Sequence, residues 1–286
     1  MSSASIKREG PGSRGASPPA VALSLCAAWS MTFGFEALAQ SCASKPAKDV
    51  IVALDVGHVA MQPGDRCTLF KTCSWGATSA RGVAEYDFNL ALAHAMRQEL
   101  VRAGYQSTIV LTTELRGVRG LTHRAARANT AHADVFLSVH HDAVRDRFVK
   151  KWDVDGVERN YYDDARGYSL HVSRRIPDSL TLARLVSDEL LKAGLGFTTH
   201  HEPRAVVGAA VPYADAARGI YWRDRLVVLN ATRMPAVLLE AGVILNRDEE
   251  LLLASEPFRL TIASAVVRAV GQFCRPATER ADGELR

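Results

Sequence analysis

"VIVALDVGHVAMQPGD", residues 50–65, begins as a strand and ends as something else. The apolar run from Val50 to Leu54 is short and rich in β-branched residues, and it gives way to Asp55, Gly57 and His58. Such a run reads as a buried strand that delivers polar groups to the edge of a sheet. A histidine after a strand is most often a hydrogen-bonded loop residue, so a metal role for His58 requires other residues to converge on it.

Outward from this stretch, strands and helices alternate. Residues 84–104, "AEYDFNLALAHAMRQELVRAG", carry Phe88, Leu92, Ala95 and Leu100 at helical spacing and end at Gly104. "STIVLT" is the next strand, "LTHRAARANTAHA" the next helix, and "DVFLSVH", residues 134–140, a third strand. The stretch "DRFVKKWDVDGVERNYYDDARG" has no steady period and reads as a long loop, or a loop with one short helix. "YSLHVS" is strand-like, and "SLTLARLVSDELLKAGLG" is an amphipathic helix closed by Gly194 or Gly196. "RLVVLN" and "PAVLLEAG" read as strands, and "PFRLTIASAVVRAVGQF" as a final helix with Pro257 at its start. This alternation predicts an α/β single domain: a twisted, mostly parallel sheet of about six strands with helices on both faces and a core over residues 48–275. In such sheets sites form at the carboxyl ends of strands, which singles out His58, His140 and Glu240.

The composition is that of an ordinary globular protein: 286 residues, 48% hydrophobic and 23% charged. A net charge of +4 is too small to argue for nucleic acid, and no Lys/Arg cluster with interleaved aromatics is present; an anionic polymer is compatible. The leading residues, 1–39, have the form of a secretory signal peptide. Lys7, Arg8 and Arg14 are followed by the apolar "AVALSLCAAWSMTFGF", and Ala37-Leu38-Ala39 makes a small-x-small cleavage site before Gln40. The apolar run is shorter than a bilayer-spanning helix and is interrupted by Ser24, Ser30 and Gly34. The mature chain, 40–286, is therefore expected to be periplasmic or secreted, without a stable membrane anchor. Removal of Cys26 leaves Cys42, Cys67, Cys73 and Cys274, an even set in an oxidising compartment. Cys67 with Cys73 would close a loop, and Cys42 with Cys274 would tie the mature N-terminus to the last helix. The absence of a CxxC pair argues against a cysteine zinc site.

A catalytic zinc site generally takes three His or Asp/Glu ligands and leaves a position for water. His58 and His140 supply two, and Glu85, which opens the first long helix, is placed to swing over the strand ends as the third. Between the adjacent histidines His140 and His141, strand parity with the inward-facing residues selects His140. Glu240 follows a run of buried apolar residues, a costly place for a carboxylate unless it is paired, hydrogen-bonded or working. Beside a metal-activated water it fits a general base that then acts as proton donor. No P-loop, GxSxG elbow or dinucleotide fingerprint is present, and in "TTHHEPRA" Ala205 stands where the second His of HExxH would be. His171, His200 and His201 are candidate rim residues. His94, His123 and His132 fall on helices away from strand ends.

The ordered set resembles the zinc-dependent N-acetylmuramoyl-L-alanine amidases of bacterial cell walls. The resemblance lies in "IVALDVGHVAMQPGD" around His58, "GVAEYDFNLALA" around Glu85, "HRAARANTAHADVFLSVHHDA" around His140 and "MPAVLLEAGVILNRDEELLL" around Glu240. It departs from the family pattern in Val56 before Gly57, in Val59 and Ala60 after His58, and in His141. The resemblance implies one zinc per chain held by His58, Glu85 and His140, with Glu240 as the catalytic carboxylate. It implies peptidoglycan as the partner, cut between muramic acid and L-alanine by a monomeric enzyme. His141, Asp142 and Asn246 are candidates for substrate contact or for orienting a ligand. In some family members an inserted helix covers the site until a protein activator removes it. Residues 144–167, with Glu158, are the candidate for such a device, and a substrate-binding rim built on Trp152, Tyr161 and Tyr162 is the other reading. Two further readings of the whole chain stay open: another exported zinc hydrolase, a peptidase or deacetylase, and a wall-binding protein without catalysis.

Overall fold

The computed structural model describes residues 42–43, 45–62, 75–201 and 211–276. The proposed signal peptide and the Cys67–Cys73 pair lie outside the described residues. In chain order the elements are β1 (Val52–Val56), α1 (Glu85–Arg102), β2 (Ile109–Leu111), α2 (Gly117–Thr130) and β3 (Val135–Asp142). Next come β4 (Lys150–Val154), β5 (Val157–Tyr161), β6 (Ser169–Val172), α3 (Asp178–Lys192), β7 (Tyr213–Asp215) and β8 (Ile220–Trp222). The chain continues through α4 (Val227–Ala231), β9 (Ala236–Val243), α5 (Arg247–Ala254) and α6 (Glu256–Phe273).

Seven strands form one sheet in the order β2-β1-β3-β9-β6-β8-β7. The first four run parallel, β6 is antiparallel to β9 and parallel to β8, and β7 is antiparallel to β8. β1 is buried at every position, the signature of a parallel strand covered on both faces rather than of one facing water. Alternate residues serve two cores. Val52, Leu54, Val56, Leu137, Val139, Val237 and Leu239 pack under α1, α3 and α6. Ala53, Phe136, Ala236 and Leu238 pack on the other face with Ala128 of α2 and Val228 and Leu229 of α4. Gly104 and Gly194 take left-handed backbone just past α1 and α3, the conformation that lets a chain leave a helix without a Cβ clash.

Two segments differ from the sequence expectation. "RLVVLN" forms the short helix α4, not a strand. Periodicity cannot separate a strand from a buried helical turn over so few residues. The sheet position beside β6 is taken by β8 just upstream, and Asn230 joins α4 to Asp224 O and Ser173 Oγ. The stretch expected as a loop contains an antiparallel hairpin, β4–β5. Its turn is Asp155-Gly156 with φ of 54° and 77°, the two positive angles of a type I′ turn. Trp152 Nε1 donates to Ala80 O at 2.9 Å, and the Arg247 guanidinium stacks over Tyr161 at 4.0 Å, so the hairpin is fastened to its surroundings.

Cys42 is bonded to Cys274, joining the segment before β1 to the residue that ends α6. The cross-link closes a loop with a sequence separation of 232, and constraint of the unfolded chain grows with loop length. Cys274→Ser is expected to lower stability by about 2–4 kcal/mol, read as a shift in the denaturant midpoint. An unchanged midpoint would show that the bridge adds nothing.

Candidate metal centre

Because β1, β3 and β9 are adjacent and parallel, their carboxyl-terminal halves lie side by side; His58 follows β1 by two residues, and His140 and Glu240 lie near the ends of β3 and β9. At the end of β1 the chain turns through His58 itself, whose φ of 66° is left-handed. That conformation is uncommon for a residue with a side chain and persists where surrounding structure enforces it. Arg124 from α2 provides the enforcement. Its Nη1 donates to His58 O at 2.7 Å, and its Nε forms an ion pair with Asp55 Oδ1 at 2.5 Å. Asp55 Oδ2 in turn accepts from Ser138 Oγ at 2.6 Å. β1, β3 and α2 are thereby locked together beneath His58.

Two glycines let the side chains meet. A Cβ on Gly57 would fall 2.4 Å from atoms of the His140 ring. One on Gly76, at φ +83°, would fall 2.3 Å from Glu85 Oε2. Neither overlap could be relieved without moving the site.

Glu85 is the first residue of α1 and reaches back over the strand ends. Its Oε1 lies 3.1 Å from His58 Nε2 and 3.0 Å from His140 Nδ1, while Oε2 accepts from the Ala77 backbone N–H at 2.9 Å. Burial works to raise the Glu85 carboxyl, but the His58 and His140 rings outweigh it and hold it well below the usual carboxylate range. Burial pushes the His140 imidazole below its ordinary value against the pull of Glu85, which keeps its ring-nitrogen lone pair available. The donor atoms of His58, Glu85 and His140 all lie within 4.8 Å of one another. Two imidazoles and one ionised carboxylate so grouped fit a zinc-type ion.

Glu240 on β9 is the register partner of His140 on β3, so the two side chains share a face of the sheet. Its Oε2 is buried without a hydrogen-bond partner. Burial, and then the Asp142 and Glu85 carboxylates, push its carboxyl well above the usual range; Arg223 opposes them.

His141 points to the opposite face, as parity required. It packs against Phe88, and its Nδ1 meets Asn89 Oδ1 at 2.8 Å. Asn89 Nδ2 donates to Gly57 O at 3.2 Å and to Glu85 Oε1 at 3.4 Å, so His141 supports the centre from behind. Burial lowers the His141 ring to about 3. Asn246 caps α5, accepting from Asp248 N and Glu249 N, and donates to Asp163 O and Ala165 O; it stands apart from the metal-binding group. Glu158 is exposed on the hairpin and pairs with Lys151 at 3.2 Å. Asn129 joins α2 to Ala231 O and Arg233 N.

Asp142 belongs to a second group that sequence reasoning did not assemble. Two residues beyond His140 on β3, it faces His200 and His201, with Oδ2 at 3.5 Å and 2.6 Å from their Nε2 atoms. Burial works to raise its carboxyl, but His201 and His200 hold it well below the usual range. The signal was the His200-His201 dipeptide, yet nothing local connects it to a residue 58 positions earlier.

Comparison with known proteins identifies a family. The family model Amidase_3, described as N-acetylmuramoyl-L-alanine amidase, matches residues 52–272. The chain is 25% identical over 252 residues to the N-acetylmuramoyl-L-alanine amidase AmiC of Neisseria meningitidis, a match covering 78% of this chain and 52% of that protein. It thus spans about half the length of that relative. Among solved structures, the amidase Ami1 from Mycobacterium smegmatis matches with a TM-score of 0.58 at 21% identity, over 80% of this chain and 98% of that one. The CwlD amidase of Clostridioides difficile, solved in complex with the GerS lipoprotein, matches with a TM-score of 0.54 at 19% identity, over 79% and 98%. At these identities the two structures establish a shared α/β fold.

Proposed function

The chain belongs to the Amidase_3 family of N-acetylmuramoyl-L-alanine amidases, and from that premise we propose that it hydrolyses the amide between N-acetylmuramic acid and L-alanine in peptidoglycan, with one zinc held by His58, Glu85 and His140. The observation that carries this reading is the convergence of those three donors at the strand ends, with Glu240 as the register partner of His140. Zinc bound there supplies Lewis acidity to the amide carbonyl and to a water.

The protein's own residues do the rest. Glu85 is held ionised between the two histidines, the state a carboxylate ligand needs. Arg124 and Asp55 fix the backbone that presents His58. Glu240 accepts a proton as the carbonyl is attacked and returns it to the departing amino group of L-alanine. A half-buried carboxyl raised above its normal range by desolvation and neighbouring charge serves both roles better near neutral pH than an exposed one. His141 acts through Asn89 to orient Glu85. Peptidoglycan lies outside the cytoplasmic membrane, so residues 1–39 act in this reading as an export signal and 40–286 as the working enzyme. A protein activator remains part of the proposal, with residues 144–167 as the element it would act on.

Dialysis against a chelator is expected to reduce release of soluble product from purified sacculi by at least about a hundredfold, and added zinc to restore it. Undiminished hydrolysis by the metal-free protein would rule this mechanism out.

A further inference from the structure

We infer that Asp142, His200 and His201 form a second metal site, distinct from the His58–Glu85–His140 centre and suited to a divalent transition ion of the zinc type. Three donor atoms are gathered together: one atom each from Asp142, His200 and His201, all within 4.8 Å of one another. Metal–ligand bonds of about 2.0–2.1 Å put tetrahedral donors roughly 3.3 Å apart. The Asp142–His200 separation of 3.5 Å already matches. The Asp142–His201 separation of 2.6 Å is a direct contact that opens slightly to admit an ion.

The outer atoms of two of these groups are anchored in the manner of metal ligands. Asp142 Oδ1 accepts from the Ala143 backbone N–H at 2.8 Å, leaving Oδ2 for the cluster. His200 Nδ1 is engaged by Thr198 Oγ1 at 2.8 Å, which turns Nε2 inward. That Nε2 is buried and makes no hydrogen bond, an arrangement that costs free energy in the protein alone and is relieved by a metal. His171 packs edge-on against His201 at 5.5 Å and is itself held by Ser169 Oγ and by the Nε–H of Arg223, so it backs the cluster without joining it. An entry path exists, because His200 and His201 line a cavity of about 400 Å3. Ligand identity, convergence, anchored outer atoms and access are together what a metal site requires. The site does not depend on the amidase reading: a protein inactive on peptidoglycan would still bind the ion.

The test is zinc stoichiometry, measured by isothermal titration and elemental analysis of the full chain with zinc alone as probe. The wild type is expected to take a second equivalent beyond the first centre. Paired substitution of His200→Ala and His201→Ala halves bound zinc, as does His58→Ala with His140→Ala, each removing a different equivalent. Asp142→Asn, which keeps shape and hydrogen-bonding reach, loses the same equivalent as the His200/His201 pair and guards against misfolding as the cause. A wild type that binds a single equivalent, abolished by the His58/His140 pair, overturns the inference and leaves an Asp–His hydrogen-bond network. So does a second equivalent that survives both the His200/His201 pair and Asp142→Asn.

Discussion

Glu240→Gln is expected to lose about 10²–10⁴-fold in hydrolysis of purified sacculi while keeping its zinc, because it removes proton transfer and leaves the three proposed ligands in place. Glutamine preserves the size of the side chain opposite His140, so the β3–β9 register should hold. The same change is expected to leave the metal-free protein at least as stable as wild type. Glu240 is half-buried, with Oε2 enclosed, near the Asp142 and Glu85 carboxylates, and its carboxyl is raised by desolvation first and by those charges next. A carboxyl whose folded value lies above its unfolded one contributes stability at low pH that is lost as pH rises through the folded value. In the metal-free wild type, stability should therefore fall as pH rises from the ordinary carboxylate range through the raised folded value, and in Glu240→Gln that part of the fall should vanish. A variant that hydrolyses sacculi at the wild-type rate would remove Glu240 from the chemistry.

Arg124→Met is expected to cost about 3–5 kcal/mol of stability, since it leaves the Asp55 carboxylate buried without its cation. The pair is almost wholly enclosed, with side-chain exposures of 2% for Arg124 and 0% for Asp55. Pairing Arg124→Met with Asp55→Leu should recover most of that loss, as apolar replacement of a complete buried ion pair commonly does. Activity should not recover with it. Arg124 also donates to His58 O, and losing that bond loosens the left-handed turn that presents the ring. Denaturant unfolding and sacculus digestion on the single and double variants separate the two effects. A double variant that regains full activity would show that Arg124 is needed for folding alone.

Much of this was legible in the chain. The strand that leads to His58 and those that carry His140 and Glu240 could be read because parallel strands covered on both faces appear as short apolar runs, against which a polar residue stands out. The choice of His140 over His141 followed from a side-chain period of two, and the structure places His141 on the opposite face beside Phe88 and Asn89. The Asp155-Gly156 hairpin was also readable, but charged residues on its exposed faces hid the alternation that would have marked it. α4 was not, because a short run of Val, Val and Leu suits a strand or a buried helical turn equally, and the neighbouring β8 decides. The departures after His58 proved to be a matter of where the turn lies: His58 takes the left-handed conformation, so Val59 and Ala60 need not. The Asp142–His200–His201 cluster lay beyond sequence reasoning, since it depends on where a segment distant in the chain packs against the end of β3.

The proposed scissile bond is tested most directly by mass spectrometry of the soluble products of sacculus digestion, with Glu240→Gln as the control. Hydrolysis at the muramic acid–L-alanine amide releases intact stem peptides with a free L-alanine amino terminus and leaves peptide-free glycan, and none of this appears with the variant. Shortened peptides still attached to glycan, or glycan that has lost acetate with its peptides in place, would contradict it.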